Sequence, residues 1–441
     1  MTLYDDALAL LKQLISNACV NEFVPDSGDE HRNAATLREF FAGVDVNTTS
    51  IESHPGRETL VVTVPGTDPE AEPLTLMGHT DVVPADREYW STDPFDPVEK
   101  DGKLYGRGSV DMLFITATQA AVTREIARRG RPRGTLTFVG MADEESRGWL
   151  GGRWIAEHQP EAFSWRNCLS EMGGSHLPVT EGDAVVVYAG EKGSAQRRLT
   201  VLGDAGHGST PYKKVSAIAL IGEVAQKVAA IQPPVSHSEL WTGVVKAFHF
   251  DPETERRVLA GEDYEPLGEL APLAAAISQA TIAPTVLRAG STINVLPGSA
   301  SLDLDIRTLP GQTADDIDAI LRDGLGELAE KVTIERLVTD EASESPTDTP
   351  LYRTIEDTMH HFFPDAAVVP MLAPGGSDLR FARHRGGNGY GFSLFAKERT
   401  LAQVHGQLHS HDEALDLEDL RLTVAAYEHL VTRFVGAAGA E

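Results

Sequence analysis

The 441-residue sequence has only two cysteines, Cys19 and Cys168, so it has neither a disulfide framework nor a thiolate metal site. It also lacks an apolar run of about 20 residues, the length that crosses a bilayer. Basic residues are scarce, with 38 Lys and Arg against 66 Asp and Glu, and the formal net charge is −28. This negative charge argues against nucleic acid or an anionic membrane as a partner, because both would be repelled.

Several familiar motifs are absent as well. The sequence contains no Walker-type phosphate loop and no G-x-S-x-G serine elbow, and its GRGSVD segment has the wrong spacing for a dinucleotide fingerprint. The N-terminal stretch MTLYDDALALLKQLI predicts an amphipathic helix that carries acids where a secretory signal would carry basic residues. We therefore expect a cytoplasmic protein.

Strand-like and helix-like segments alternate along the chain, which predicts an α/β fold with a mostly parallel sheet covered on both faces. The pattern changes near residue 195 and changes back near 343. We therefore predict a catalytic domain in two parts, 1–194 and 344–441, and an inserted α+β domain at 195–343. Within the insert, residues 232–280 form a long acidic, helix-leaning stretch, and EASESPTDTP is a plausible linker back.

Polar residues stand where predicted apolar strands stop, at the place where such sheets usually carry their sites. In MGHTDVVP, an imidazole at His79 can bind a metal while Asp81 orients it. In MADEES, Glu144 and Glu145 would point in different directions, so one can bind metal while the other takes a proton. Taken alone, each segment could equally be a structural pair or a solvated acidic loop.

Asp111 follows a Gly-rich turn in LYGRGSVDM and precedes a predicted helix. Its two carboxylate oxygens could bridge two cations, or the side chain could simply cap the helix. Two further segments add possible ligands, namely Glu171 in CLSEMGG and the pair His409 and His411 in QLHSHDEA. Together these residues supply the imidazole and carboxylate mixture that zinc hydrolases use.

The order MGHTDVVP, YGRGSVDM, ADEE, SEMGG and a distant HSHDE resembles one family along nearly the whole chain. It is the di-zinc metallohydrolase family of aminoacylase, acetylornithine deacetylase, succinyl-diaminopimelate desuccinylase, carnosine dipeptidases and glutamate carboxypeptidases. The resemblance implies two divalent metal ions, most simply zinc, with cobalt or manganese as alternatives. It also implies a zinc-hydrolase catalytic domain with an inserted lid and dimerisation domain, and a homodimer.

The resemblance also implies a role for each motif residue. Asp111 would bridge the metals, Asp81 would orient the histidine, and Glu144 would act as general base and acid. The remaining metal ligands would be His79 and Glu171 for one ion and Glu145 and His409 for the other. His409 is preferred over His411 because Glu413 follows it by four residues.

Three segments resemble the family's substrate contacts. GDAGHGSTP suggests that His207 reaches a partner's active site and stabilises the oxyanion. NVLPGSASLDLDIR suggests that Asn294 and Arg307 hold a substrate carboxylate, although Arg307 could be a structural ion pair. GGSDLR suggests Gly375, Gly376 and Ser377 near that carboxylate, or merely a turn that caps a helix. Leu113 departs from the VDMK run of many relatives, which leaves the subfamily open.

The expected reaction is hydrolysis of an amide bond in a dipeptide, a peptide C-terminus or an N-acyl amino acid. Each of these substrates has a free carboxylate that an arginine can bind through two hydrogen bonds. An N-carbamoyl amino acid amidohydrolase is an alternative, which the Glu144–Glu145 pair disfavours. A non-catalytic binding protein on the same fold is a more distant one, since every expected ligand and the base are present.

Overall fold

The computed structural model describes residues 2–437. The helices are α1 (Leu3–Ser16), α2 (His31–Phe40), α3 (Leu113–Arg129), α4 (Gly152–His158), α5 (Ala217–Ala229), α6 (Glu239–Lys246), α7 (Pro252–Leu259), α8 (Ala271–Ser278), α9 (Ala314–Leu325), α10 (Pro350–Phe362), α11 (Leu379–His384), α12 (Leu401–His405) and α13 (Leu417–Phe434). Short 3-10 helices lie at Arg87–Tyr89, Glu265–Leu270 and Gly326–Lys331. Within the described part of the chain, no helix is both long enough and apolar enough to cross a membrane.

The strands fall into two main sheets and two small ones. They are β1 (Asn47–His54), β2 (Arg57–Val64), β3 (Leu74–His79), β4 (Val98–Lys100), β5 (Lys103–Tyr105), β6 (Leu136–Met141), β7 (Asn167–Ser170), β8 (Asp183–Glu191), β9 (Gly193–Ser194), β10 (Arg197–Leu202), β11 (Gly206–His207), β12 (Thr281–Ala289), β13 (Val295–Leu296), β14 (Ser299–Thr308), β15 (Val332–Arg336), β16 (Ser343–Glu344), β17 (Ala366–Ala373), β18 (Asn388–Gly391) and β19 (Ala414–Asp416).

The larger sheet has nine strands in the order β1-β2-β6-β3-β7-β18-β8-β16, with β17 also paired to β8. Its centre is parallel, since β3 pairs in parallel with both β6 and β7, and β7 with β18. All six residues of β3 and of β6 are buried, as expected for strands covered on both faces. Helix α3 lies over this sheet and packs against α1 and α13. The predicted α/β class is confirmed, with antiparallel strands added at the edges.

The smaller sheet has five strands in the order β12-β14-β10-β15, with β9 paired to β14. It packs against α5 and α9 around a separate hydrophobic core. Two chain segments connect it to the larger sheet and lie side by side, because Ser194 and Asp340 exchange both backbone hydrogen bonds at 2.8 Å. Residues 341–350, predicted as a linker back to the catalytic domain, include strand β16, which pairs with β8.

The 232–280 stretch is helical, as predicted, but it does not share the core of the smaller sheet. Its buried side chains Trp241, Val245, Phe248 and Ile277 belong to the core cluster of the larger sheet. Helix α6 lies against β17. The predicted 195–343 domain includes this stretch because the stretch lies between its strands in the sequence. In the structure, the apolar faces of its helices pack on the catalytic half of the molecule.

Candidate metal centre and active site

The predicted site residues lie at the carboxyl ends of three neighbouring strands. His79 is the last residue of β3, Glu144 and Glu145 follow β6 after a short turn, and Glu171 follows β7 directly. The register pairs His79 with Met141, so the strand ends are level with each other. Because parallel strands end at the same edge of a sheet, these side chains converge on one place.

Asp111 lies at the centre of this group. Its Oδ1 is 3.3 Å from His79 Nε2, and its Oδ2 is 3.2 Å from His409 Nε2. Two sets of possible ligand atoms therefore share one carboxylate: His79, Asp111 and Glu171 form one set, and Asp111, Glu145 and His409 the other. Asp111 does not cap α3, whose N-cap residue is Met112 with no side-chain cap bond.

Asp81 is fully buried and organises two parts of the site. Its carboxylate accepts hydrogen bonds from the backbone N–H groups of Glu144 and Glu145, at 3.2 and 3.1 Å, and from Asn21 Nδ2 at 2.9 Å. His79 Nδ1 is closer to the Asp81 carbonyl oxygen, at 2.9 Å, than to its carboxylate, at 3.5 Å. A proton on Nδ1 leaves the Nε2 lone pair free to face Asp111, which is the tautomer a metal ligand needs.

His409 and His411 are clearly distinguished by the structure. His409 Nε2 also lies 3.3 Å from Glu145 Oε2, and its hydrogen bonds to Asp111 and Glu145 raise the pKa of His409 to about 10. The His411 ring instead stacks on Tyr89, with ring centroids 5.1 Å apart. The geometry thus favours His409 over His411 as the histidine of the second set.

The local charge fits metal binding. Burial raises the pKa of Glu171 to about 8, and burial together with the neighbouring Glu171 raises the pKa of Glu144 well above its usual range. Glu145 Oε1 is a buried oxygen without a hydrogen-bond partner among the described residues. Buried carboxylates crowded in this way are stabilised by a compensating cation or by protonation. Imidazole and carboxylate donors suit divalent zinc, cobalt or manganese.

Glu413 is a positioning residue. In the sequence its only use was to identify His409, which precedes it by four residues, and its own role is visible only in the structure. It is fully buried and accepts hydrogen bonds from the backbone N–H groups of Gly108, Val110 and Asp111 at 2.6–3.1 Å. Its carboxylate also pairs with buried Arg107 at 2.7 Å. Glu413 thereby shapes the Gly-rich turn that presents Asp111.

We expect Glu413→Gln to lower the free energy of unfolding by about 3 kcal/mol, because it leaves the buried Arg107 charge without its partner. Urea denaturation followed by circular dichroism measures the loss. Glu418→Gln is the control, since its exposed pair with Arg421 should contribute at most about 1 kcal/mol. A loss below about 1 kcal/mol for Glu413→Gln would contradict this role.

A cavity of about 270 Å³ opens beside the carboxylate cluster. Three predicted substrate contacts, Arg307, Gly375 and Gly376, line it together with Glu144, Glu145 and His409. Arg307 contacts Asp305 at 3.2 Å on its own strand, so both the substrate and the ion-pair interpretation fit its position. The basic residues Arg147, Lys192 and Arg380 also line it, as do the acidic residues Asp340 and Glu341, and Arg147 pairs with Asp340 at 2.9 Å. We refer to this space as the Arg380 cavity.

Arg380 is the most informative of these additional residues. Its side chain is only 6% exposed, yet Nε and Nη2 are buried without a hydrogen-bond partner among the described residues. A buried guanidinium with unused donors is costly unless a ligand completes it. Arg380 is the last residue of the GGSDLR segment, whose glycines and serine are the predicted substrate contacts. The sequence alone does not show that this arginine faces the cavity.

The Ser377 side chain is bonded inside the protein. Its hydroxyl donates to Glu191 Oε2 at 2.6 Å and accepts the backbone N–H of Leu379 at 3.2 Å. Both contacts lie at the start of α11 and favour the helix-turn interpretation of this serine, and its substrate role stays a prediction. Glu191 also binds Arg383 at 2.9 Å, and this buried group holds the Gly375–Gly376 loop in place.

His207 and Asn294 lie together, but neither is among the described residues that line the cavity. His207 pairs with Val295 across the β11–β13 ribbon, and Gly208 donates its N–H to the Asn294 carbonyl at 2.8 Å. Both side chains are exposed on the smaller domain. Within one chain, the structure therefore leaves this predicted pair outside the active-site cavity.

Comparisons with known proteins agree with this geometry. The chain is 28% identical over 360 residues to the human N-fatty-acyl-amino acid synthase/hydrolase PM20D1, covering 78% of this chain and 71% of the relative. It is 26% identical over 387 residues to aminoacylase-1 from Sus scrofa, covering 86% and 84%. The fold matches the M20 family metallo-carboxypeptidase Sso-CP2 from Sulfolobus solfataricus, with a TM-score of 0.73 and 14% identity over 98% of this chain and 99% of that one.

These relatives are hydrolytic enzymes, and the predicted family is confirmed. The sequence profile of peptidase family M20/M25/M40 matches residues 75–433, which include every predicted ligand. M20 hydrolases act on N-acyl amino acids or peptides. The chain belongs to peptidase family M20/M25/M40 and is a hydrolase.

Proposed function

We propose that this enzyme hydrolyses the amide bond of an N-acyl amino acid or short peptide that has a free carboxylate. The observation that carries the proposal is that the Asp111 carboxylate is shared between two sets of possible ligand atoms, next to a cavity that Glu144, Arg307 and Arg380 line. The printed activities of the relatives, an N-acyl amino acid hydrolase, an aminoacylase and a carboxypeptidase, support the same substrate classes.

His79 and Glu171 would hold one divalent ion, Glu145 and His409 the other, and Asp111 both. Zinc is our first choice of metal. When bound, such a pair of ions polarises a carbonyl and makes water more acidic.

The remaining chemistry belongs to the protein side chains. Glu144 lines the cavity but belongs to neither ligand set, so its carboxylate is free to take the proton of the attacking water. The same carboxyl group then gives that proton to the leaving nitrogen as the amide C–N bond breaks. The products are a carboxylate and an amine. Asp81 contributes by holding the backbone of Glu144 and Glu145 in place.

Arg380 and Arg307 would bind the free carboxylate of the substrate. Arg380 lines the cavity and has two buried nitrogens without a partner among the described residues, and Arg307 approaches the same cavity from the smaller sheet. A carboxylate held on this side would set the amide bond beside Glu144.

We expect Arg380→Met to lower kcat/KM by about 10- to 100-fold, mainly through KM, because a charge-assisted hydrogen bond contributes about 1.5–3 kcal/mol. Steady-state kinetics measure the effect, and Arg380→Lys should recover only part of it because lysine cannot form the bidentate contact. Arg166→Met is the control, because Arg166 is exposed and lies far from Arg380 in the sequence. Unchanged kinetics in Arg380→Met would show that another group binds the carboxylate.

A homodimer is part of the proposal, because His207 and Asn294 need a partner's cavity to act on substrate. The smaller domain has a suitable surface: β12 is an edge strand, and Leu202, Ile218, Leu287 and Ile293 are exposed apolar residues on this domain. An exposed apolar patch on a free sheet edge favours association with a second copy. A stable, fully active monomer in solution would contradict this role for His207.

The experiment that tests the proposed function combines metal analysis with a substrate panel. Purified protein is stripped with a chelator, reloaded with zinc, cobalt or manganese, and assayed on N-acetyl amino acids, dipeptides and N-carbamoyl amino acids. We expect activity that disappears on chelation, returns with metal, and excludes the N-carbamoyl compounds. Preference for N-carbamoyl substrates would favour the amidohydrolase alternative, and no hydrolysis by the metal-loaded protein would refute the proposal.

A further inference from the structure

His409 is the most exposed of the five possible metal ligands. Its side chain is 53% exposed, against at most 15% for the other four. It belongs to residues 406–413, the segment between α12 and β19, which we refer to as the ligand loop. His409 and Asp412 in this loop have φ angles of 57° and 52°, in the left-handed region that non-glycine residues keep only where their surroundings hold them. The position of His409 therefore depends on contacts that fix the shape of the ligand loop.

A neighbouring segment, residues 86–93, supplies two such contacts, and we refer to it as the clamp. The Asp412 carboxylate oxygen Oδ1 accepts hydrogen bonds from the backbone N–H and from the hydroxyl of Ser91, at 2.7 and 2.9 Å. The His411 ring stacks on Tyr89, with 5.1 Å between ring centroids and 9° between ring planes. The clamp thus holds two successive residues of the ligand loop, shortly after the histidine that faces Asp111.

The clamp is itself anchored to the protein. Tyr89 and Ser91 are the two neighbours of Trp90, whose side chain is buried. The Arg107 guanidinium lies over the Trp90 ring, 5.2 Å from its centroid, and pairs with Glu413 at the end of the ligand loop at 2.7 Å. Because its central ring is fixed in this way, the clamp can limit the movement of the ligand loop that its two outer residues contact.

We propose that the clamp positions His409 as a metal ligand, and that the four residues of its contacts are positioning residues: Tyr89, Ser91, His411 and Asp412. None of these four belongs to either set of possible ligand atoms among the described residues. The inference rests on the proposed function, because it needs a metal ion at His409. It also gives the second histidine of the QLHSHDEA segment a role other than metal binding, since its ring forms the stack that holds the ligand loop.

The contacts predict an effect on one of the two ions only. His79 ends β3 and Glu171 directly follows β7, so buried strands hold both of these ligands in place. His409 instead depends on the ligand loop. Removing a clamp contact should therefore weaken the ion at His409 and leave the ion at His79 unchanged. A general loss of folding stability would weaken both ions together, so the two explanations give different results.

The first test removes the stack from either side. Calorimetric titration of the metal-stripped protein with zinc, against a competing chelator, measures both binding steps in His411→Ala and in Tyr89→Ala. We expect one affinity to stay that of the wild type and the other to fall about 10-fold, a change that the loss of one aromatic pair can produce. The double variant should be no weaker than either single one, because both changes remove the same contact. His158→Ala is the matched control, since His158 is exposed and stacks on Trp154 in α4 at 4.7 Å.

The second test separates stacking from metal binding by His411. Phenylalanine keeps a flat ring for Tyr89 but has no nitrogen for a metal, so His411→Phe should retain both wild-type affinities. Asp412→Asn tests the other contact, because asparagine tolerates the φ of 52° but lacks the charge that the two Ser91 donors face. We expect it to weaken the same ion by about 10-fold. In both Ala variants kcat should fall at limiting zinc and recover at saturating zinc, with KM unchanged.

The outcomes separate the inference from the proposed function. Wild-type affinities in both Ala variants, or equal weakening of the two ions, would overturn the inference while hydrolysis continued. Loss of one ion in His411→Phe would overturn it as well, because His411 would then bind the metal itself. A wild type that binds two ions but hydrolyses nothing in the panel would instead remove the proposed function, and the zinc titrations would still decide the role of the clamp.

Discussion

Glu144→Gln is expected to lower kcat by about 10²- to 10⁴-fold while the bound metal content stays that of the wild type. Glu144 lines the Arg380 cavity and belongs to neither ligand set, so its loss removes a proton carrier and not a ligand. Glutamine keeps the shape of the side chain but cannot take the proton of water. KM should change little, because no contact to the substrate carboxylate is lost.

Elemental analysis and steady-state kinetics on the same preparation check this result, with the exposed Glu161→Gln as control. A near-normal kcat would assign the base to another residue. Loss of one metal equivalent would show instead that Glu144 is a ligand. Glu145 is the neighbouring residue and belongs to a ligand set. Glu145→Gln should therefore lower the bound metal content, which Glu144→Gln should leave unchanged.

Asp111→Asn should have an even larger effect, because it is expected to weaken both metal positions at once. The carboxylate faces His79 with one oxygen and His409 with the other, at 3.3 and 3.2 Å. An asparagine removes the negative charge that two neighbouring cations require and points an N–H donor at one of the imidazoles. We expect at most one tightly bound ion per chain and a kcat below that of Glu144→Gln.

Calorimetric metal titration of the stripped protein measures this loss directly. The control is Asp101→Asn in the β4–β5 turn, where the exposed residue has a φ of 53° that asparagine tolerates well. Two tightly bound ions in Asp111→Asn would contradict the shared role of this carboxylate. Circular dichroism should confirm that the variant folds, since Asp111 lies outside the hydrophobic core clusters.

Much of the catalytic half was predictable because its signals are local. Each apolar strand that stops at a polar residue could be identified from a few positions, as with LTLMGH before His79 and LTFVGM before Glu144 and Glu145. Parallel strands then bring these ends together by geometry alone. The order of five motifs supplied the family, and the match over residues 75–433 confirms it.

The substrate side was less predictable because its contacts depend on packing between distant segments. Ser377 and Arg380 stand three residues apart in one motif, yet the serine is bonded to Glu191 and the arginine lines the cavity. The 232–280 stretch joined the larger core although the chain places it within the smaller domain. Helix period and composition contain no information about which core an amphipathic helix will join.

The sequence by itself determined the chemical inventory of the site: the imidazoles of His79 and His409, the five carboxylates of Asp81, Asp111, Glu144, Glu145 and Glu171, and their order along the chain. The tertiary structure decided how that inventory is arranged, since His409 lies about 300 positions after Asp111 and meets it only because Glu413 and Arg107 bind the two loops together. It also decided that Arg307 and Arg380, which come from separate elements, line one cavity with Glu144 and Glu145. Wall chemistry of this kind arises from side chains on separate elements that only packing brings together.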